Sequence, residues 1–108
     1  MKKFETSCDM GSIKIFNDSM SCFFDNGLGD LPTTVYIFDP ADKEVVTILP
    51  HSKHSEFLGH FTVKTVAYLS DYDCEDNAIY TFKPGRWFVQ RLDDAIMLIE
   101  KEDGDLQA

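Results

Sequence analysis

Residues 11–24 indicate the fold class, and they read GSIKIFNDSMSCFF. Ile13 and Ile15 alternate with Lys14, and the letters MSCFF form a second apolar stretch. Alternation with a period of two is typical of a half-buried β-strand. Asn17-Asp18-Ser19, between the two stretches, are residue types that favour a tight turn. The segment therefore predicts a β-hairpin.

The same alternation recurs along the rest of the chain. Further strands are predicted over residues 33–38, 44–49, 60–69, 78–82, 86–92 and 95–100. The first two of these are expected to form a second hairpin and the last two a third, which turns at Asp93-Asp94. A change of apolar face between Val63 and Val66 predicts a β-bulge inside the strand over 60–69.

Helix is expected to contribute little to the fold. Only residues 52–58 are compatible with a single helical turn, because no stretch keeps a 3.6-residue apolar period over the length of a helix. We therefore predict an all-β fold, or a mainly β fold with one short helical turn. The expected architecture is a small antiparallel β-sandwich or partly open barrel of about eight short strands. Antiparallel pairing is expected because the connections are short.

The size and composition of the chain indicate one domain. The sequence has 108 residues, of which 44% are hydrophobic and 13% aromatic, so a single core can offset the entropy of ordering the backbone. We expect one β domain over residues 1–108, with 101–108 as a polar tail. The three cysteines are widely spaced, and the N-terminus lacks the apolar region of a signal peptide. These features predict reduced thiols and a cytoplasmic protein.

The net charge is the most unusual bulk property. Nineteen acidic residues against ten basic residues give a formal net charge of −9. This charge repels nucleic-acid phosphates and anionic lipid, so we expect neither a nucleic-acid nor a membrane partner. A basic protein is the expected partner. The alternative is that the acidity only keeps a small protein soluble.

The densest group of carboxylates is residues 71–76, which read DYDCED. Asp71, Asp73 and Glu75 recur at alternate positions, as do the first oxygen ligands of a calcium loop. Asp76 and Phe82, however, stand where that loop needs Gly and a bidentate Glu, so a calcium site is not predicted. A solvated turn is one interpretation, and a contact for partner lysines and arginines is the other. The predicted partner-binding residues of this segment are Asp71, Tyr72, Asp73, Glu75 and Asp76.

Trp87 is the predicted aromatic anchor for the partner. Trp87 and Phe88 are neighbours on a predicted strand, so their side chains point to opposite faces. One of them has to leave the core unless both faces are covered. An exposed aromatic beside Arg86 and Arg91 suits a binding contact. Burial of both faces, in a barrel or a dimer, is the competing interpretation.

His51, His54 and His60 are the candidate metal ligands. Neutral imidazoles can bind zinc, although exposure to water is the usual state of histidines in loops. The prediction is therefore that no metal and no cofactor is bound. The sequence contains no Gly-x-Ser-x-Gly elbow, Walker loop or His-Glu-x-x-His motif. These absences favour a non-enzymatic role.

Small size, a net charge of −9 and missing catalytic motifs together favour an interaction protein. It would bind a basic protein partner and block or modulate it, in the manner of a toxin-neutralising immunity protein or a phage-encoded inhibitor. One alternative is a small ligand- or metal-binding domain or enzyme that uses the histidines. Another is a structural homo-oligomer subunit, such as a homodimer formed through an edge strand.

Overall fold

The computed structural model describes residues 1–6, 12–18, 20–25, 32–42, 55–70 and 78–102. In these ranges the chain forms nine strands and one 3₁₀ turn, Pro40–Asp42, and it has no other helix. The all-β prediction is confirmed. The strands are β1 (Lys2–Thr6), β2 (Ser12–Asn17), β3 (Met20–Asp25), β4 (Thr33–Phe38), β5 (Glu56–Val63), β6 (Ala67–Ser70), β7 (Ala78–Phe82), β8 (Gly85–Asp93) and β9 (Ile96–Lys101).

Two sheets pack together as a β-sandwich. The five-stranded sheet has the order β1-β4-β9-β8-β5, and the four-stranded sheet has the order β3-β2-β6-β7. Alternate residues of the strands face the core, as the period of two requires. The core cluster draws on both sheets and contains Ile13, Ile15, Phe24, Val35, Ile37, Phe61, Val63, Ala67, Leu69, Phe82, Trp87, Val89, Met97 and Ile99. No helix in the described ranges is long and apolar enough to cross a membrane.

The first and third predicted hairpins are confirmed. Strand β2 pairs with β3, and β8 pairs with β9, both antiparallel. Each connection contains a residue with positive φ, Asp18 at 55° and Ala95 at 59°. Asp is one of the residue types that tolerate this region, whereas Ala adopts it at a steric cost. The turn at Asp93-Asp94 therefore extends to Ala95.

The second predicted hairpin is wrong. Strand β4 pairs with β1 on one edge and with β9 on the other, and a strand has only two edges, so none is left for residues 44–49. Those residues lie outside the described ranges. The β4–β9 pair is parallel, whereas the other strand pairs of the described ranges are antiparallel, as expected. A long stretch of chain separates the two strands, which is what a parallel pair requires.

The single strand predicted over 60–69 is two strands in different sheets. Strand β5 ends at Val63 in the five-stranded sheet, and β6 begins at Ala67 in the four-stranded sheet. The change of apolar face thus marks a crossing between sheets and not a bulge. The irregularity in β5 lies instead between Phe57 and Gly59. Residues 56–58 belong to this strand, so the predicted helical turn is wrong there.

Glycine at position 59 allows the two sheets to approach closely. A Cβ built on Gly59 would lie 3.0 Å from Cε1 of Phe24 on β3, a contact that forces one of the two to move. The predicted polar tail, 101–108, overlaps strand β9 at its first residue, because Lys101 is part of β9. The Glu102 N–H donates to the Arg86 carbonyl oxygen over 2.8 Å, and residues 103–108 lie outside the described ranges.

Hydrogen bonds of Asp18 connect the β2–β3 turn to residues 64–66, where the chain crosses between the two sheets. Its carboxylate accepts hydrogen bonds from the backbone N–H groups of Val66, over 3.0 Å, and Thr65, over 3.3 Å. Its own N–H donates to the Val66 carbonyl oxygen over 2.7 Å. The neighbouring Asn17 side-chain amide donates to the Thr62 carbonyl oxygen over 3.0 Å. Hydrogen bonding from the Val66 N–H holds the pKa of the Asp18 carboxyl below its usual range.

We expect the Asp18→Asn variant to be less stable than the wild type at neutral pH. Because the pKa of Asp18 is lower in the folded state, the charged carboxylate adds stability above its unfolded pKa, and this is lost as the pH falls through its folded pKa. Asn tolerates positive φ and keeps an acceptor oxygen, so the variant removes mainly the charge. Urea unfolding at pH 7 and at about pH 2 measures this. A stability difference that persists undiminished in acid would contradict the expectation.

Candidate functional site

The strand directions bring three connecting segments to one end of the sandwich. The registers Thr6↔Thr33 and Thr34↔Ile96 put those strand ends beside the Asp93–Ala95 turn. The Val63–Ala67 crossing connects the two sheets at the other end of the sandwich, away from the Asp93–Ala95 turn. In the four-stranded sheet, the pairs Ser12↔Asp25 and Ser70↔Ala78 are the ones farthest from this crossing. The chain therefore enters and leaves segments 7–11, 26–31 and 71–77 at one common end.

The segments attached to this end contain most of the surplus acidic residues of the sequence. Segments 7–11, 26–31 and 71–77 together contain six acidic residues and no Lys, Arg or His. The turn adds Asp93 and Asp94, whose side chains are exposed. We call these three segments and the turn the acidic end. The described ranges contain eight basic and ten acidic residues, so they account for only −2 of the formal charge of −9.

The predicted partner-binding residues of the acidic segment follow β6 and precede β7. Asp71, Tyr72, Asp73, Glu75 and Asp76 themselves lie outside the described ranges. The two flanking strands are antiparallel neighbours that pair at Ser70↔Ala78, which attaches the segment to the acidic end. The contact of these residues with a basic partner stays a prediction.

Of the three candidate metal ligands, only His60 is described. It is exposed on β5, while His51 and His54 lie outside the described ranges. Within those ranges, no group of three His, Cys, Asp or Glu side chains is arranged to hold a metal ion. The His60 ring stacks on the Phe57 ring, with 6.5 Å between the ring centroids.

Trp87 is not an exposed anchor, and this prediction is wrong. Its side chain is 0% exposed, because its position on β8 faces the core. The indole Nε1–H donates to the Lys83 carbonyl oxygen over 2.9 Å. Its ring packs against Phe82 at 5.0 Å and Phe61 at 6.5 Å. The neighbour on the opposite face, Phe88, is the aromatic that leaves the core.

An aromatic surface missed by sequence reasoning lies on the outer side of β5 and β8. Phe57 is 57% exposed, and its ring centroid lies 6.3 Å from Phe88 and 6.5 Å from His60. We call these three residues the Phe57 cluster. Leu98 of β9 lies outside the core cluster and yet is only 1% exposed. The outer side of the sheet is therefore shielded from solvent at Leu98 and exposed to solvent at Phe57. Phe57 was missed because the irregularity that follows it interrupts the alternation.

A second exposed phenylalanine differs from Phe57 in its neighbours. Phe23 on β3 is 58% exposed, and the Lys14 Nζ lies 4.9 Å from its ring centroid. The same ammonium lies 4.9 Å from the centroid of Phe16, which stacks on Tyr68 at 5.5 Å. A cation thus already occupies the aromatic faces on this side of the four-stranded sheet.

The opposite end of the sandwich holds a buried carboxylate. The side chain of Asp39 is 1% exposed, and its Oδ1 accepts from the Ala41 N–H over 3.0 Å. Its Oδ2 makes no hydrogen bond but lies 3.6 Å from the Lys83 Nζ, an ion pair just beyond hydrogen-bonding range. The Lys83 ammonium bonds to the Asp42 carboxylate. This bond lowers the pKa of Asp42 and raises that of Lys83. The arrangement ties two turns together and is structural.

Cys22 is the free thiol that the structure describes. It is half-buried on β3 and packs against the core cluster. Burial raises the pKa of its thiol, which disfavours the thiolate that nucleophilic catalysis needs. Cys22 is therefore a packing residue.

Comparison of the chain with protein-family models, with curated proteins and with solved structures finds no match. The acidic end and the Phe57 cluster are accordingly the features on which a function can be based.

Proposed function

We propose that this protein binds a basic protein partner through the acidic end and thereby blocks or modulates that partner without catalysis. The supporting observation is that the strand ends attach three carboxylate-bearing segments, with six acidic residues, beside the exposed Asp93 and Asp94. The simplest mode of action is that the bound protein covers the functional surface of the partner, as in a toxin-neutralising immunity protein or a phage-encoded inhibitor. A cytoplasmic site of action is part of the proposal, supported by the free Cys22 thiol.

The physical basis is the local potential and not the net charge alone. Like charges that converge on one end reinforce each other, so the potential there attracts cationic surfaces and accelerates association. Such charges act mainly on the association rate and on the choice of partner. Their effect weakens with salt, since the Debye length shortens from about 30 Å at about 0.01 M to about 3 Å at about 1 M.

Two charge-matched variants test the proposal. The first carries Asp71→Asn, Asp73→Asn and Asp76→Asn in a segment attached to the acidic end. The second carries Glu102→Gln, Asp103→Asn and Asp105→Asn, which begin where the chain leaves β9 at the opposite end. Each variant removes three carboxylates, so the two have the same net charge. Immobilised wild type and variants are used to capture proteins from a lysate of the source cells, at low and high salt.

We expect the wild type and the second variant to retain one basic protein at low salt. The first variant should bind it with an association rate lower by at least about tenfold, because only this variant weakens the potential at the acidic end. Equal binding by both variants, or capture that is insensitive to salt, would contradict the proposal.

A further inference from the structure

We draw no further inference here: the strongest candidate, the Phe57 cluster on the outer face of β5 and β8, carries none, because nothing in the described residues shows what covers that face.

Discussion

Replacing Trp87 by alanine will lower the free energy of unfolding by about 3–5 kcal/mol, the usual cost of truncating a buried tryptophan. The substitution removes the packing against Phe61 and Phe82 and leaves the Lys83 carbonyl oxygen without its indole donor. Domains of this size have total stabilities of about 5–15 kcal/mol, so the variant will be marginal. Because Trp87 is the only tryptophan, unfolding in urea has to be followed by circular dichroism.

The control is the adjacent Phe88→Ala. Phe88 is half-buried on the opposite face of the same strand, so its truncation should cost only about 1 kcal/mol. Trp87→Phe, which keeps part of the ring, gives a measurable intermediate if Trp87→Ala does not fold. A cost for Phe88→Ala as large as that for the tryptophan variants would show that the outer face, and not the core, is the main source of stability.

Replacing Lys83 by methionine will destabilise the fold and lower the urea midpoint of unfolding. Lys83 lies 3.6 Å from the Asp39 Oδ2, and the Asp39 side chain is 1% exposed. Methionine keeps the length of the side chain but leaves a buried carboxylate without its counter-charge, and an uncompensated buried charge is costly. The measurement is the urea midpoint at neutral pH.

The double variant Asp39→Asn/Lys83→Met tests this reason. It removes the buried charge together with its partner, so it should recover most of the lost stability. Asp42→Asn is the matched control at the other carboxylate bound by Lys83. That side chain is 20% exposed, and its replacement should cost at most about 1 kcal/mol. If the double variant is less stable than Lys83→Met alone, charge burial is not the cause.

Local pairing could be predicted from the sequence, whereas distant pairing could not. The β2–β3 and β8–β9 hairpins were found because alternation and turn residues lie within a few positions of each other. Strand β1 was missed, since Lys2, Lys3 and Glu5 make it charged and Phe4 is its one apolar side chain. Its pairing with β4, and that of β4 with β9, join strands that lie far apart in the sequence. No local pattern encodes this.

The candidate site could likewise be predicted from the sequence only in part. The carboxylates of residues 71–76 are visible in composition, but the end of the sandwich to which they are attached follows only from strand order. Trp87 and Phe88 point to opposite faces of β8, as predicted, yet alternation alone does not say which of the two faces is buried. Phe57 was hidden by the irregularity before Gly59. The exposure of Phe57 could be recognised only from the register of β5 against β8.

The central position of β9 has a consequence for biosynthesis. Strand β9 separates β4 from β8 in the five-stranded sheet, so a ribosome-bound chain cannot complete that sheet until residues 96–101 have left the exit tunnel. Residues 12–82 already contain every strand of the other sheet. Translation that stops before residue 96 would expose unpaired edges of β4 and β8, which are templates for aggregation. Nascent chains that end before residue 96 should therefore require chaperones to avoid aggregation.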